Sequence, residues 1–158
     1  MRIITRRDLC IAMPALAATG TAFAQSQPAP PPQPPPVLAA PQAFAFDQMH
    51  TRAMANGGES RDIVHGVLKT GEMVNLHQST QPAGLAPNPL HVIQHTEFIL
   101  VREGQLEFQR EDATGKIVAD TVGPGGVLYV ALGTRHAVKN VGDVPAKYFV
   151  VAIGGDAK

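Results

Sequence analysis

The chain has little cysteine and no excess of charge of either sign. Each of these properties excludes some classes of protein. Of its 158 residues only Cys10 is a cysteine, and it lies within the first 24 residues. Without those residues no disulfide can stabilise the fold. The 13 basic and 13 acidic residues cancel, and removal of residues 1–24 would leave ten against twelve, a formal charge of −2. No basic stripe remains to bind nucleic acid, and no basic amphipathic helix remains to bind a membrane surface.

Long apolar runs are also missing, and the one apolar stretch near the N-terminus is typical of an export signal. Met1–Ala24 has a basic start, a short apolar stretch and a small-x-small end at Ala22-Phe23-Ala24. Thr5-Arg6-Arg7-Asp8-Leu9 resembles a twin-arginine signal; an ordinary secretory signal with two arginines is the alternative. The stretch is too short and too interrupted to span a bilayer. We expect an exported, periplasmic protein that is free of the membrane after cleavage.

Gln25–Pro41 is a proline-rich segment with PAPPPQPPP at its centre. Such a run favours polyproline II structure and is interpreted as a linker, with a ligand for a proline-recognising domain as the alternative. We expect the folded domain to extend from residue 43 to residue 155, enough for one modest core. Its short apolar segments are separated by turn residues and show no sustained helical periodicity, which is typical of an all-β sandwich or barrel.

The residues that carry chemistry are concentrated in His91–Gly104, HVIQHTEFILVREG. His91, His95 and Glu97 have the same parity on an extended strand, so one face can carry all three. A straight strand would spread them over about 20 Å. They meet at one ion only if the chain bends, and Gln94-His95-Thr96 is the expected bend.

A second cluster, Gly125–Asn140, adds His136. Imidazole and carboxylate ligands suit divalent first-row metals, including non-haem iron and catalytic zinc. The sequence therefore predicts a site for one divalent metal, iron, manganese, nickel or zinc. The predicted ligands are His91, His95, Glu97 and His136.

The two clusters resemble the two motifs of the cupin family. The first motif has a glycine, a His-x-His pair, a glutamate and a later glycine; the second has glycine, proline, glycine, histidine and asparagine. The matching residues are Gly84, His91, Glu97 and Gly104, then Gly125, Gly133, His136 and Asn140, with Ala131 in place of the proline. The resemblance covers about residues 61–153. It implies a small antiparallel β-barrel, often dimeric, with a metal held by the motif histidines and the glutamate.

The sequence departs from the first motif at Ile93, which takes the position of the second histidine and cannot bind metal. Three alternatives follow: His95 replaces the missing ligand, the site has His91, Glu97 and His136 alone, or no metal is held stably. A buried glutamate without a metal or a cation would be costly. If Glu97 points inward, another group must therefore satisfy it.

The remaining histidines have a plainer interpretation as surface or hydrogen-bonded core residues. Ile63–Lys69 and Met73–Gln78 predict a hairpin around Thr70-Gly71. A two-residue turn would put His65 on an apolar face with Val74 and Leu76, and His77 on the opposite face. His65 is therefore the better ligand candidate, and His50 is a weak one.

Among the other polar side chains, Asn75 and Gln94 are candidates to orient a ligand histidine. Asn140 is expected to bond backbone at a strand end.

Two classes of function remain open. The first is a metal-dependent enzyme of dioxygenase, isomerase or lyase type, acting on a small oxygen-bearing substrate with Glu97 as catalytic base. The second is a non-catalytic small-molecule or metal-binding accessory protein. No serine-nucleophile elbow, phosphate-binding loop or H-E-x-x-H helix competes with the metal site. The apolar strand Tyr148–Ile153 suggests a homodimer.

Overall fold

The computed structural model describes residues 33–85 and 88–157. The predicted signal peptide, Met1–Ala24, and the first part of the predicted linker lie outside these residues. The described chain forms one turn of 3₁₀ helix, Phe46–Gln48, and a series of strands. The strands are β1 (Val37–Leu38), β2 (Thr51–Ala53), β3 (Glu59–Leu68), β4 (Met73–Gln81), β5 (His91–Val92), β6 (Thr96–Glu103), β7 (Leu106–Glu111), β8 (Ile117–Val122), β9 (Val127–Val130), β10 (Arg135–Asn140) and β11 (Ala146–Ile153). Within the described ranges, no helix has the length and apolar character needed to cross a membrane.

The strands form two sheets. The larger sheet has the order β1-β3-β4-β11-β6-β9, with β2 also paired to β3, and the smaller has the order β5-β10-β7-β8. The pairings are antiparallel except that of β1 with β3. This confirms the all-β, antiparallel barrel expected from the sequence.

The core is built from alternate residues of the strands in both sheets. Its largest fully buried side chains are Ile99, Leu106 and Val130, and Ile93 is 8% exposed. The last strand, β11, lies in the middle of the larger sheet between β4 and β6. Its alternate residues are buried, as expected for a strand with one face on the core.

The β3–β4 hairpin has a different register from the one predicted. Val67 pairs with Met73 and the Leu68 amide donates to the Glu72 carbonyl, so the turn holds three residues, Lys69–Gly71, rather than two. Val64 lies opposite Leu76, and His65 opposite Asn75, which exchanges the predicted faces. The pairing also shifts between Asp62 and Val64. The prediction for the two faces was therefore wrong by one residue, as a change of turn length requires.

The N-terminal part of the described chain lies along the edge of the larger sheet. Val37 and Leu38, inside the segment interpreted as a linker, pair in parallel with Val67 and Leu68. The chain that follows contains the 3₁₀ turn and β2, which pairs with β3. Both short strands therefore cover the outer edge of β3.

Candidate metal site

A cavity of about 140 Å³ lies between the two sheets. Four of its lining residues carry groups that bind metals, one on each of four strands: His77 on β4, His91 on β5, Glu97 on β6 and His136 on β10. The other lining residues are Met54, Ser79, Asn88, Ile99, Val138, Tyr148 and Val150. The structure thus brings three of the four predicted ligands to one cavity, adds His77, and does not place His95 in the lining.

The expected bend between His91 and Glu97 is present and explains how they share a cavity. β5 ends at Val92 in the smaller sheet, the chain bends at Gln94 and His95, and β6 begins at Thr96 in the larger sheet. The motif therefore crosses from one sheet to the other. His91 and Glu97 face the same interior from opposite walls.

His136 is the most buried histidine of the cavity, at 2% exposure. It lies directly opposite His91 in the β5–β10 pair, and the two ring centroids are 4.8 Å apart. Its Nε2 is 3.8 Å from Oε2 of Glu97, too far for a hydrogen bond. Two donors on one ion, each about 2.1 Å from it, can lie up to about 4.2 Å apart. This spacing therefore suits two ligands of one metal.

The three cavity histidines share one arrangement of their ring nitrogens. Each Nδ1 is close to an oxygen that accepts hydrogen bonds: Oδ1 of Asn75 for His77 (3.1 Å), the Pro89 carbonyl for His91 (3.0 Å) and the Thr134 carbonyl for His136 (3.1 Å). A carbonyl or amide oxygen only accepts, so Nδ1 carries the proton and donates it. In the neutral ring this leaves the Nε2 lone pair free for a metal, which is how ligand histidines are commonly oriented.

Burial keeps two of these rings neutral. Loss of hydration lowers the pKa of His136, against the opposing influence of the Thr134 carbonyl and the Glu97 carboxylate. Burial likewise lowers the pKa of His77, with Glu97 and Asp62 acting in the opposite direction. Neutral imidazole is the form that binds metals, so the protein environment favours the competent form.

His95 has a different environment from the one that the sequence predicted. Its Nδ1 is 2.7 Å from Oδ1 of Asp156, and its Nε2 is 2.9 Å from Oε1 of Glu97. Burial lowers the pKa of His95, but the hydrogen bonds to Asp156 and Glu97 outweigh that effect and the pKa is raised. The protonated ring donates to both carboxylates. It is the cation that the inward-pointing Glu97 was expected to need.

Asp156 and His77 are the two residues of this region that the sequence did not point to. Asp156 lies 61 residues from His95 and just beyond the predicted end of the domain, so no local pattern connects them. His77 was placed on the wrong face by the register error. Ser79, two residues further along β4, lines the same cavity, so it is the face of β4 carrying both residues that turns inward.

The other histidines lie away from the cavity. His65, the better candidate from the sequence, is exposed, and so is His50, whose Nδ1 is 3.8 Å from Asp62. Asn75 does orient a histidine, although it is His77 rather than a predicted ligand. Asn140 bonds backbone at the end of β10, as expected.

The donor set fits a divalent metal in its chemistry, with three imidazoles and one carboxylate. Among residues 33–85 and 88–157, no three His, Cys, Asp or Glu side chains are already close enough together to hold an ion. Binding would therefore draw the side chains inward. The predicted set of His91, His95, Glu97 and His136 stays a prediction.

A larger groove, of about 540 Å³, lies on the outer face of the larger sheet. It is lined by charged and polar side chains, among them Arg61, Arg102 and Lys147, and Lys147 is already paired with Glu103 at 2.9 Å. It contains no histidine. The smaller interior cavity is therefore the candidate for metal chemistry.

Comparison with known proteins agrees with the fold and the motifs. Residues 76–152, just under half of the chain, match the family model described as Cupin domain. Over this part of the chain, the resemblance seen in the two motifs is confirmed. No curated protein has a sequence that matches this chain.

Solved structures of oxalate decarboxylase from Bacillus subtilis share the fold. They include a variant with one tryptophan replaced by phenylalanine, a two-residue deletion mutant, and a structure concerned with the Mn(II) centres of that enzyme. Each matches with a TM-score of 0.58 at 23% identity, over 73% of this chain and 30% of the enzyme. The chain thus spans less than a third of that enzyme. At this identity the similarity establishes the cupin fold alone.

Proposed function

We propose that the protein is a single-domain cupin that binds one divalent metal in its interior cavity and acts as a metal-dependent enzyme. The observation that carries the proposal is the shared orientation of the cavity histidines, which leaves Nε2 free beside Glu97. His91, Glu97 and His136 are the predicted ligands that line the cavity. The Mn(II) centres of oxalate decarboxylase, which has the same fold, support manganese as one candidate ion.

The cavity limits the substrate to a small molecule. Its volume of about 140 Å³ is well below the ~300–1,000 Å³ of pockets for drug-sized ligands. A bound divalent metal would supply Lewis-acid activation or, as iron, dioxygen activation to a small oxygen-bearing substrate. Glu97 would serve as the base when it releases the metal, because its Oε2 faces the cavity while His95 holds Oε1. Dioxygenase, isomerase or lyase reactions are the types expected.

Burial raises the pKa of Tyr148, while the hydrogen bond with Ser79 acts in the opposite direction. The phenol therefore stays protonated in the cavity wall. It would offer a hydrogen-bond donor to an oxygen-bearing ligand.

The second candidate function is a non-catalytic small-molecule or metal-binding accessory protein. The observation that favours it is Ile93, which packs in the core where the motif has a ligand. Metal-dependent turnover of a small carboxylate or hydroxy compound would support the enzyme. Ligand binding that survives removal of the metal would support the accessory protein.

Metal content tests the proposal directly. Elemental mass spectrometry of the full chain, purified from its native compartment, is expected to find close to one divalent metal per chain. The metal should be lost in His136→Ala and kept in His50→Ala, whose histidine is exposed outside the cavity. Wild-type protein without metal, and without affinity for added metal, would contradict the proposal.

Export to the periplasm is also proposed, on the support of the residue pattern in Met1–Ala24. Replacing Arg6 and Arg7 by lysine is expected to leave uncleaved precursor in the cytoplasm, as cell fractionation and N-terminal sequencing would show. Normal export of this double variant would favour an ordinary secretory signal.

We further propose a homodimer that forms through the outer face of the larger sheet. Phe98, Leu100, Val127 and Tyr129 are exposed on its strands β6 and β9. Such a contiguous apolar surface is a candidate interface. Light scattering at micromolar concentration is expected to give twice the chain mass, and a monomer mass would contradict the dimer.

A further inference from the structure

We propose that His77 is the fourth metal ligand, so that an imidazole from β4 takes over from the missing second histidine of the motif. This inference rests on the proposed metal site and completes it. The ligand set becomes His77, His91, Glu97 and His136. It restores three imidazoles and one carboxylate without any contribution from His95.

The position of β4 in the larger sheet brings His77 to the cavity. Val150 of β11 is paired with His77 on one side and with Ile99 of β6 on the other. His77 is therefore two strands away from β6, about 10 Å across the sheet at ~4.8 Å per strand, and Glu97 lies two residues along β6 from Ile99, about 7 Å further at ~3.3 Å per residue. Both side chains line the same cavity, so each has to span only part of that separation to meet at one ion.

The hydrogen bond to Asn75 orients His77 with Nδ1 bonded and Nε2 free, as in the other two cavity histidines. Oδ1 of Asn75 accepts from Nδ1, just as the backbone carbonyls do for His91 and His136. A buried histidine that serves packing alone has no need of this match. Three rings with the same nitrogen bonded and the same nitrogen free are the pattern expected of a ligand set.

His95 is the competing candidate, and its contacts argue against it. Both of its ring nitrogens are already bonded, one to Asp156 and one to Glu97, and it is not part of the cavity lining. To bind metal it would have to release Glu97 or Asp156. We therefore assign His95 as a positioning residue that holds the Glu97 carboxylate.

The first test compares three single variants of the full chain by equilibrium dialysis of the metal-free proteins against Mn²⁺ and, separately, Zn²⁺. His77→Ala is expected to weaken binding by roughly 100-fold or more, beyond the ~10–100-fold typical of losing an outer partner of a ligand. His95→Ala should fall within that smaller range. His65→Ala is the matched control, since this exposed histidine on the neighbouring strand should bind like the wild type.

Different results would contradict the assignment of His77 and the proposed metal site itself. Wild-type protein that binds neither ion would overturn both. Wild-type binding that survives in His77→Ala but is lost in His95→Ala would overturn only the assignment of His77. It would return the fourth position to His95.

A second measurement remains informative if His77→Ala does not fold. In wild-type protein, Zn²⁺ is expected to shift the Nε2 ¹⁵N resonance of His77 and to leave both nitrogens of His95 bonded as before. An unchanged His77 signal at saturating Zn²⁺ would overturn the assignment. Asn75→Asp, which keeps the acceptor, should retain metal affinity, whereas Asn75→Leu should lose about 10–100-fold.

Discussion

The two carboxylate oxygens of Glu97 have different partners. Oε1 accepts a hydrogen bond from His95, and Oε2 faces His136 across 3.8 Å. Burying an isolated carboxylate costs several kcal/mol, which a paired cation offsets. The contact between His95 and Asp156 also lowers the pKa of the Asp156 carboxyl. The partner of the buried Glu97 carboxylate is therefore a histidine that the motif does not contain.

Asn140, at the end of β10, is predicted to be the most sensitive polar residue for stability. Its side chain is 3% exposed, donates to the carbonyls of Gln81 and Val144, and accepts from the Gly142 amide. At ~0.5–1.5 kcal/mol per hydrogen bond, Asn140→Ala should lower the free energy of unfolding by roughly 2–4 kcal/mol. Urea unfolding measures this, with Lys139→Ala as the control. A loss no larger than that of the control would count against it.

Gln81, the last residue of β4, is predicted to be a weakness in the core. It is 2% exposed, and within the part of the chain that the structure describes neither its Nε2 nor its Oε1 has a hydrogen-bond partner. An unsatisfied buried polar group costs about 1–3 kcal/mol. Gln81→Met, which keeps the shape, should therefore raise the melting temperature. Gln109→Met, which breaks the bond with Glu107, should not; a fall in both would show that Gln81 is satisfied.

At the residue scale, the sequence identifies a group when the group belongs to a local pattern. Candidate ligands could be predicted at His91, Glu97 and His136 because their spacing matches two motifs. The backbone hydrogen bonds of Asn140 could be predicted because a polar residue at a strand end tends to bond the backbone. His77 has no such pattern, and its role depends on which strand lies next to β4. No pattern in the sequence connects Asp156 to His95, because the two residues are far apart in the chain and meet only in the folded structure.

At the level of the strands, the β3–β4 hairpin was predicted from the sequence, but the register in which its strands pair was not. The two strands and their turn were located correctly, but the turn length was not. One local choice, three residues in the turn instead of two, moved His77 from the expected outer face to the cavity. The period of a strand is two residues, so a small error in the turn reverses every side chain. The identity of the elements could be predicted, and their register could not.

The C-terminal turn is predicted to depend on the glycine at residue 155. Gly155 has a positive φ of 51°, and a Cβ there would lie 1.6 Å from the Gln94 carbonyl oxygen. Gly155→Ala should push this turn away from the bend between β5 and β6 and break the bond between Asp156 and His95. The expected result is a lower melting temperature and an altered His95 nitrogen spectrum, close to those of Asp156→Ala.

The control for this prediction lies in a second glycine with open space. At Gly71, in the β3–β4 turn, a Cβ would meet nothing within 4 Å, although its φ of 102° is also positive. Gly71→Ala should therefore show the effect of backbone strain alone, without a steric clash of the new Cβ. A His95 spectrum that changes equally in both glycine variants would contradict the mechanism.

At the scale of the whole molecule, metal binding is predicted to stabilise the fold. The proposed ligands come from four strands in two sheets, so one ion would link both walls of the barrel. Metal at a concentration of 100 times its Kd should add about 2.7 kcal/mol to the free energy of unfolding. Calorimetric scans with and without saturating Mn²⁺ or Zn²⁺ measure the shift. An unchanged melting temperature with both ions would rule out tight binding to the native state.

The same two-sheet arrangement explains which large-scale features were accessible from the sequence. Turn residues at regular spacing and the absence of helical periodicity were enough to predict the barrel. The cavity was harder, because its size depends on how the bend after β5 carries Glu97 from one sheet to the other. Packing of Ile93 into the core, where the motif has a ligand, also became clear only from the fold.

The outer edge of β3 has a consequence for how the protein behaves at high concentration. β3 has ten residues, and β2 covers its start while Val37 and Leu38 of β1 cover its end. The Pro36 carbonyl extends that cover by accepting from the Val67 amide. An uncovered strand edge is a template on which other chains aggregate, and proline next to it prevents a further strand from adding. A chain shortened to begin at residue 43 would therefore keep its cavity but tend to precipitate.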